Sequence, residues 1–452
     1  MSAAAQQDKT EQLLKQITAL LETNSLYQAR SLIHTLYPAE TAHLLESLEP
    51  ENRNKVWTLI PPNIMGEILV TLHVEVARKM IEITDRKDLI VAAESLESDD
   101  LVDLLHVLPE SLLAEVLESI GITERSRLES ALSYADDSAG GLMNLDVLTI
   151  RSNVTHETVL RYLRKRGEMP PATDSLMVID RNGFFQGVLP LTVLLTKDLR
   201  TRVADSMETD EMAIPYQMSA ADVAILFEQR DMVSAPVISE NGRLLGRITV
   251  DDIVDVIRDE ADHSIMSRAG LDEEQDMFAP VVVSARRRAL WLGINLFTAF
   301  LASWVIGWFE ATLAQVVALA VLMPIVASMG GIAGSQTLTL VVRGLALRQI
   351  GDTNAGKLLK KEFFVGVVNG LLWAVVVAAI AGLWFQNAGI GFLLGAAMVI
   401  NLIFAAVAGA FIPLVLQRIG IDPALAGGVL LTTVTDVVGF MAFLGLATLF
   451  LV

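Results

Sequence analysis

The pattern of apolar and polar residues divides the chain near residue 286. Before that point, apolar residues recur at helical spacing or in short strand-like runs bounded by turn residues. After it come five long apolar stretches: 289–309, 315–342, 363–385, 391–416 and 424–451. A helix needs about 20 mostly apolar residues to cross a bilayer. The second part therefore predicts an α-helical transmembrane domain with five helices.

Residues 1–135 have helical periodicity throughout, and several of their segments resemble one another. Apolar runs end in proline in AHLLESLEP (42–50), KVWTLIPP (55–62) and DLLHVLPE (103–110). Proline stops a helix because it lacks the amide hydrogen and its ring clashes with the preceding turn. The pattern predicts an all-α superhelical N domain, built as a stack of short helices in a weak repeat.

The next part of the chain changes to an order of strand, turn, strand and helix, which occurs twice, at 175–195 and at 234–257. Each copy contains an Asn-Gly pair, Asn182-Gly183 in the first and Asn241-Gly242 in the second, and this pair favours a hairpin turn. The hairpins lie about 60 residues apart. We therefore predict an internal duplication of an α+β domain.

The predicted domain boundaries follow from these changes of pattern. The helical N domain takes residues 1–135, and the duplicated domains take 136–205 and 206–262. Residues 263–285 are polar and are predicted to form a connecting helix at the cytoplasmic mouth of the spans. The transmembrane domain takes 286–452.

The two parts of the chain carry charge of opposite sign. Nine of the 34 Lys and Arg and five of the 53 Asp and Glu lie at or after Arg286, which leaves about −23 for residues 1–285 and about +4 for the rest. With five alternating spans, all nine basic residues fall on the side of the N-terminal domains. The positive-inside rule makes that side the cytoplasm and places the C-terminus outside the cell membrane. The nine residues are Arg286, Arg287, Arg288, Arg343, Arg348, Lys357, Lys360, Lys361 and Arg418.

The residue types limit the chemistry. The polar N-terminus has no hydrophobic signal-peptide core, which agrees with a cytoplasmic soluble part. The chain has no Cys, which excludes disulfides and thiolate metal sites, so a metal must be held by oxygen or by the six His. No nucleophile, base and orienting group gather in one motif, and there is no phosphate-binding loop, so we do not expect an enzyme. Nothing in the sequence points to nucleic acid as a partner.

The second predicted span, VLMPIVASMGGIAGSQTLTLVVRG (321–344), contains helix-loosening and polar residues. Pro324 removes a backbone donor, and Gly330, Gly331 and Gly334 lower helix propensity. Irregular backbone at membrane depth is tolerated where it is buried in protein or lines a wet cavity. The alternative interpretation is close packing of helices through small residues.

A single carboxylate, Asp436, lies in the fifth span within TTVTDVVGF (432–440). An ionised Asp at the bilayer centre costs at least about 2.5–3.5 kcal/mol, and no Lys or Arg lies inside a span to pair with it. It is either a protonated Asp bonded to a neighbouring helix or a cation site in a pathway. Oxygen ligands favour Mg²⁺ or Ca²⁺, and a two-fold dimer would bring two such carboxylates together.

The order of parts resembles the MgtE family of magnesium channels over essentially the whole length. The duplication looks like a pair of CBS domains, and YADDSAGGLMN (134–144) looks like the junction between the family's N domain and its first CBS domain. MPIVASMGGIAGSQTLTLVVRGLA (323–346) looks like the family's second span, and IDPALAG…TTVTDVVGF (421–440) like its fifth.

The resemblance implies a homodimer in the membrane lipid, with a pore on the two-fold axis lined by the second and fifth spans. Asp436 matches the pore aspartate, and residues 264–281 match a plug helix that closes the cytoplasmic mouth. The implied metal contacts in the pore are Asp436, Gly330, Gly331, Gln336 and Thr432.

The resemblance also implies that cytosolic Mg²⁺ binds acidic surfaces and holds the pore shut. The positions that match such acids are Asp99, Asp103, Asp231, Asp252, Asp255 and Glu260. The charge of about −23 agrees, because acidic domains repel unless cations neutralise them. For the run ESLESDDLVD (94–103), the alternative is a solvated helix start.

Three departures from the family pattern bear on function. Ile332 replaces the Asn of the family's glycine-rich tract, and Gly428 stands where a polar residue is expected eight positions before the pore Asp. His263 and Ser264 stand where carboxylates are usual in the connecting helix. The first two departures bear on ion selectivity, and the third bears on the strength of gating.

A nucleotide site is a further expectation. The run from Gly246 to Asp252 matches the CBS ribose-binding pattern, with Thr249 followed three residues later by Asp252, which implies ATP as a second ligand. The first copy lacks the corresponding Asp. The alternative is a strand-to-helix turn that Thr249 caps.

Three functions remain open at this point. The first is a Mg²⁺ channel or transporter gated by cytosolic Mg²⁺. The second is transport of another cation: Co²⁺, Ca²⁺ or a Na⁺-coupled ion. The third is a membrane-anchored cation sensor that does not conduct, against which the carboxylate in the fifth span argues.

Overall fold

The structure, a computed structural model, describes residues 3–119, 122–210, 212–271, 276–351 and 353–451. It divides into two compact units. The first consists of Met1–Asp262 and Glu274–Ala279, and the second of His263–Glu273 and Pro280–Val452. The architecture confirms the predicted fold class: a helical N domain, two small sheets and five helices long and apolar enough to span a membrane.

Short helices form the N domain, and prolines mark where they begin. Pro38, Pro50 and Pro62 each occupy the first helical position, where the missing amide hydrogen has no helical partner to lose. Two of these, Pro50 and Pro62, were placed by the sequence at the ends of apolar runs, and in the structure each starts the next helix. The helices are α1 Ala3–Glu22, α2 Leu26–Ile33, α3 Pro38–Glu46, α4 Pro50–Trp57, α5 Pro62–Thr71, α6 Val74–Ile83, α7 Arg86–Glu94, α8 Ser98–Val107, α9 Glu110–Ser119 and α10 Ile122–Ala131.

The duplication appears as two three-stranded sheets with the same topology, β1-β2-β3 and β4-β5-β6. In each, the first pair of strands is parallel and the second antiparallel. Each hairpin has a register shift at the corresponding place, at Val178/Ile179 and at Val237/Ile238. The strands are β1 Thr149–Ile150, β2 Ser175–Ile179, β3 Phe185–Pro190, β4 Ile214–Pro215, β5 Ser234–Ile238 and β6 Leu244–Thr249.

Helices flank these sheets and lead out of them. They are α11 Ala139–Leu142, α12 His156–Arg166, α13 Leu191–Thr196, α14 Ala220–Arg230 and α15 Val250–Met266, with 3₁₀ turns at Val203–Asp205 and Ser267–Ala269. Helix α15 runs four residues past the predicted boundary at 262. The predicted connecting segment 263–285 is thus divided between the end of α15, one 3₁₀ turn and the start of the next helix. Residues 272–275 of this segment lie outside the described residues.

The second unit contains the five candidate spans. They are α16 Val281–Gly307, α18 Ala318–Ala346, α19 Ala355–Trp384, α20 Ala388–Arg418 and α21 Pro423–Phe450, and a short helix α17, Glu310–Gln315, joins the first two. The predicted irregularity of the second span was wrong, because α18 is one continuous helix through Pro324 and Gly330. A proline removes one helical hydrogen bond, and the neighbouring helices pack closely on the glycine tract.

Candidate ion pathway and cation-sensing surface

Helices α18 and α21 pack in opposite directions, and their contacts fix which residues lie at the same depth. A Cβ built on Gly427 would lie 2.9 Å from Leu338, and one on Gly334 would lie 2.8 Å from Leu431. Further along, a Cβ on Gly439 would lie 3.1 Å from Val326. Each step along one helix matches an equal step back along the other. This register places Asp436 level with Met329, one residue before Gly330.

Asp436 is half-buried in α21. Within the part of the chain that the structure describes, its carboxylate makes no hydrogen bond and no ion pair. The hydroxyl of Thr432 donates within its own helix, to the carbonyls of Gly428 at 3.1 Å and Val429 at 3.0 Å. A hydroxyl that donates to its own helix keeps its lone pairs as acceptors. The arrangement suits a cation or a hydrated cation better than an anion.

One face of α18 lines an open cavity of about 500 Å³. Residues four apart lie on the same face of a helix, and the lining follows that spacing: Gly331, Ile332, Ser335, Gln336 and Thr339. Gly331 has open space where a Cβ would be, and Ile332 is 55 % exposed. Gly331 and Gln336, both predicted pore residues, therefore lie on this face, and so does the departure Ile332.

The other glycines of α18 face the neighbouring helices. Gly330 is buried, and a Cβ there would lie 2.3 Å from the side-chain nitrogen of Asn401 in α20. Gly334 packs against Leu431 in the same way. At Gly330 and Gly334, the contacts are those of the alternative interpretation given for the second span, in which helices pack closely through small residues. Gly428 in α21 has open space around it.

A buried carboxylate that the sequence analysis did not single out ties α18 to α19. Glu362 is 4 % exposed and accepts a hydrogen bond from Thr337 at 3.1 Å. Lys361 lies 3.3 Å from its other oxygen. In the sequence, Glu362 follows two lysines at the expected cytoplasmic end of a span, and its neighbours gave no signal of burial.

Four of the six predicted sensor acids lie in two helices. Asp99 and Asp103 lie in α8, and Asp252 and Asp255 lie in α15. Burial raises the pKa of Asp103 to about 7, and the charges of Asp99, Asp252 and Asp255 raise it further. Burial also raises the pKa of Asp252 to about 7, with Asp99 among the charges that add to the shift. The structure therefore brings four of the six predicted sensor acids together.

Sequence reasoning did not name one acid of this cluster, Asp100. Burial raises its pKa to about 7, and Asp99 and Asp103 raise it further. Asp100 belongs to the acidic run that the sequence analysis quoted, so the signal was present. What the run does not show is which of its acids face α15.

Asn144 fixes one end of the acidic cluster. Its buried side-chain amide donates to Glu97 at 3.0 Å and to Asp99 at 3.1 Å, while its backbone pairs with Arg247 of β6. This side chain therefore joins α8 to the second sheet. Among the described residues, no group of three His, Asp or Glu side chains lies close enough together to hold a metal ion.

The remaining two predicted sensor acids lie apart from this contact. Asp231 is exposed and ends α14 in a left-handed conformation, with a φ of 51°. Glu260 is exposed on α15, two turns beyond Asp252.

Thr249 and Asp252, the two residues predicted to bind a nucleotide, form hydrogen bonds with each other. The backbone N–H and the hydroxyl of Thr249 both lie 3.0 Å from one carboxylate oxygen of Asp252. Thr249 is 4 % exposed. This geometry is that of a strand-to-helix turn that begins α15, which is the sequence alternative.

His263, one of the departures in the connecting segment, contacts the start of the fifth span. Its Nε2 lies 3.2 Å from Asp422 Oδ2. The other oxygen of Asp422 accepts the N–H of Ala424 at 2.8 Å and so caps α21. Ser264, the other departure, is partly buried one residue further along α15.

Comparison with known proteins finds three family models that match parts of the chain. The model of the MgtE family, described as a divalent cation transporter, matches residues 323–446. The MgtE intracellular N domain matches residues 36–137, and the CBS domain matches residues 202–259.

Similar proteins cover nearly the whole chain. The magnesium transporter MgtE of Thermus thermophilus is 30 % identical over 446 residues, which is 98 % of this chain and 99 % of that protein. The magnesium transporter MgtE of Bacillus subtilis is 29 % identical and covers 98 % of both chains. A crystal structure of the cytosolic domain of the Mg²⁺ channel MgtE in complex with ATP is similar with a TM-score of 0.50 and 29 % identity, over 54 % of this chain and 99 % of that one. The chain belongs to the MgtE family of divalent cation transporters.

Proposed function

We propose that the protein is a homodimeric Mg²⁺ channel or transporter of the cell membrane and is gated by cytosolic Mg²⁺. The observation that carries the proposal is the carboxylate of Asp436: it has no partner among the described residues and lies level with the glycine tract of α18. The names of the relatives support magnesium as the ion. The proposal includes no catalytic activity.

The pore residues follow from this placement. Asp436 supplies the negative charge, and the hydroxyl of Thr432 supplies acceptor lone pairs one helical turn before it. On the exposed face of α18, Gly331 leaves open space and Gln336 supplies a side-chain amide. Gly330 contributes at the same depth, through the close helix contact that it permits. Because Mg²⁺ releases its water reluctantly, these groups would hold it hydrated.

Gating is proposed to arise where α8 meets α15. Asp99, Asp100 and Asp252 are partly buried, and Asp103 lies beside them. Burial raises the pKa of all four, and the neighbouring carboxylates add to the shift. Divalent cations would offset this repulsion and favour the compact first unit. Asp255 adds to the same field, whereas Asp231 and Glu260 would bind cations at other places on the acidic surface.

The proposed topology places the first unit in the cytoplasm and the C-terminus outside. Its support is the distribution of nine Lys and Arg on one side of the five spans.

The same account includes ATP as a ligand of the second CBS domain, supported by the ATP complex of the similar cytosolic domain. Thr249 and Asp252 would then exchange their mutual bond for the ribose hydroxyls. Equilibrium dialysis with ATP tests this, and binding unchanged by Thr249→Val would contradict it.

A second candidate, transport of another cation, rests on Ile332. Its side chain lies on the open face of α18 and offers no oxygen. Flux into liposomes that contain the purified protein separates the candidates, with Mg²⁺, Ca²⁺, Co²⁺ and Na⁺ compared side by side. Mg²⁺ carried faster than the other three supports the proposal, and preference for another ion supports the second candidate. No flux of any ion would leave a non-conducting sensor.

A further inference from the structure

One buried amide joins three spans at the depth of the proposed pore carboxylate. Asn401 lies in α20 and is fully buried. Its Nδ2 donates a hydrogen bond of 2.8 Å to the backbone carbonyl of Val326 in α18. That carbonyl also belongs to the regular helix, so the amide is a second donor to it.

Glycines on both neighbouring helices leave room for this amide. A Cβ on Gly330 of α18 would lie 2.3 Å from Asn401 Nδ2, and a Cβ on Gly439 of α21 would lie 2.9 Å from it. Real Cβ atoms do not approach other atoms so closely. The amide therefore lies between α18 and α21. On α18 it contacts Gly330, which precedes Gly331 of the open face, and on α21 it contacts Gly439, three residues after Asp436.

Fold stability alone does not explain an asparagine at this position. Within the described residues, Asn401 Oδ1 has no hydrogen-bond partner although it is buried. A buried acceptor without a donor is unfavourable. An apolar side chain of similar volume would fill the same space without leaving such an acceptor. What an apolar side chain cannot supply is a directional bond to one carbonyl of α18.

We infer that Asn401 is a positioning residue of the ion pathway, whose amide sets the depth and rotation of α18 and α21 beside Asp436. A helix turns by about 100° per residue. A rotation of α18 by part of that angle would therefore move Gly331 and Ser335 away from the open face, toward the packed side on which Gly330 lies. This inference rests on the proposed function for its effect on transport, but the geometry that it describes can be measured without transport.

The first test measures the orientation of α18 by thiol labelling. The chain has no cysteine, so Ser335→Cys introduces a single thiol on the open face, and Leu340→Cys on the same helix serves as a reference. We expect Asn401→Leu to change the ratio of the two labelling rates about fivefold, the effect of losing one hydrogen bond. An unchanged ratio would overturn the inference. If Asn401→Leu does not fold, Asn401→Ala takes its place with the same criterion.

A compensating variant separates position from volume. In Gly330→Ala/Asn401→Ala, the new methyl group occupies space that the amide has left. We expect the double variant to recover thermal stability relative to Asn401→Ala, while the labelling ratio stays shifted because the bond to Val326 is still missing. Recovery of the wild-type ratio would mean that Asn401 only fills space, and the inference would fail.

Flux in liposomes then connects position to transport. We expect the Asn401 variants to lose about fivefold to tenfold of the preference for Mg²⁺ over Ca²⁺ per folded protein. Wild-type preference in a variant with a shifted labelling ratio would contradict the role in transport. If the wild-type protein carries no Mg²⁺, the proposed function fails, and the labelling ratio still decides whether Asn401 positions α18.

Discussion

Arg53 and Asp276 form a buried ion pair in the first unit. Arg53 Nη1 lies 2.8 Å from Asp276 Oδ2 and Arg53 Nη2 lies 3.0 Å from Oδ1, with both side chains almost fully buried. Lys79 contacts the same carboxylate at 3.0 Å, and Glu75 accepts the backbone N–H of Asp276 at 2.9 Å. These contacts hold the pKa of Asp276 below its usual range, although burial alone would raise it.

Loss of this pair should release the chain just before the first span. Arg53→Met leaves the carboxylate of Asp276 buried with only Lys79 beside it, and removing one partner of a buried pair costs about 3–5 kcal/mol. We expect protease to cut near residue 276 at least about a hundredfold faster, because that energy shifts the local opening equilibrium. The variant Lys55→Met removes an exposed lysine in the same helix and should leave the rate unchanged. Equal rates in both variants would contradict the assignment.

The acidic contact predicts a pH effect of defined sign. Asp100, Asp103 and Asp252 have pKa values of about 7 when packed and an ordinary value of 3.8 otherwise. The packed form therefore binds more protons, so its stability falls as pH rises from about 4 to about 7 and is constant above that. Without Mg²⁺, protease should cut the first unit more slowly at pH 6 than at pH 8. At pH 8, millimolar Mg²⁺ should restore the protection.

Neutral variants give the matched control for this effect. Asp100→Asn/Asp103→Asn should protect the first unit at pH 8 without Mg²⁺, because it removes the repulsion that the cation offsets. It should also remove most of the difference between pH 6 and pH 8. If cutting of the wild-type first unit does not respond to Mg²⁺ at either pH, the sensing part of the account fails while the pore part stands.

The topology predicts which side of the membrane each end of a span faces. In intact cells, a cysteine added after Val452 should react with an impermeant thiol reagent, and Asn354→Cys should not. Both sites should react after the cells are opened. The reverse pattern in intact cells would place the first unit outside.

Ile332 should weaken discrimination between ions without preventing conduction. Ile332→Asn places an amide on the open face of α18, and one or two added hydrogen bonds to a hydrated ion contribute about 1–3 kcal/mol. The preference for Mg²⁺ over Ca²⁺ should rise by about one to two decades in liposome flux. Ile332→Leu keeps the side chain apolar and should change nothing. An unchanged preference in Ile332→Asn would show that this position does not face the ion.

Local patterns predicted most of the architecture. Five apolar stretches became five helices, and the two Asn-Gly hairpins became two sheets of equal topology, because periodicity and turn chemistry act over short distances. The regular course of α18 was not predicted. It depends on Asn401 and Leu431, which are distant in sequence, and glycine propensity alone favours a loosened helix.

The candidate site was predictable in its residue types and less so in its partners. The sequence identified Asp436 because a charge in an apolar span is conspicuous. It could not show that Gly330 faces a neighbouring helix while Gly331 faces open space, because the two residues are adjacent and differ only by a rotation of about 100°. The meeting of Asp100 with α15 and the burial of Asp276 also depend on tertiary packing, which no local pattern in either segment records.

The central claim is that Asp436 carries the ion, and Mg²⁺ flux into liposomes tests it most directly. Asp436→Asn keeps the size of the side chain and removes its charge, and Glu310→Gln removes an acid from the short helix α17 as a control. The account predicts that Asp436→Asn abolishes Mg²⁺ flux in folded protein while Glu310→Gln conducts like the wild type. Wild-type flux through Asp436→Asn would contradict the account.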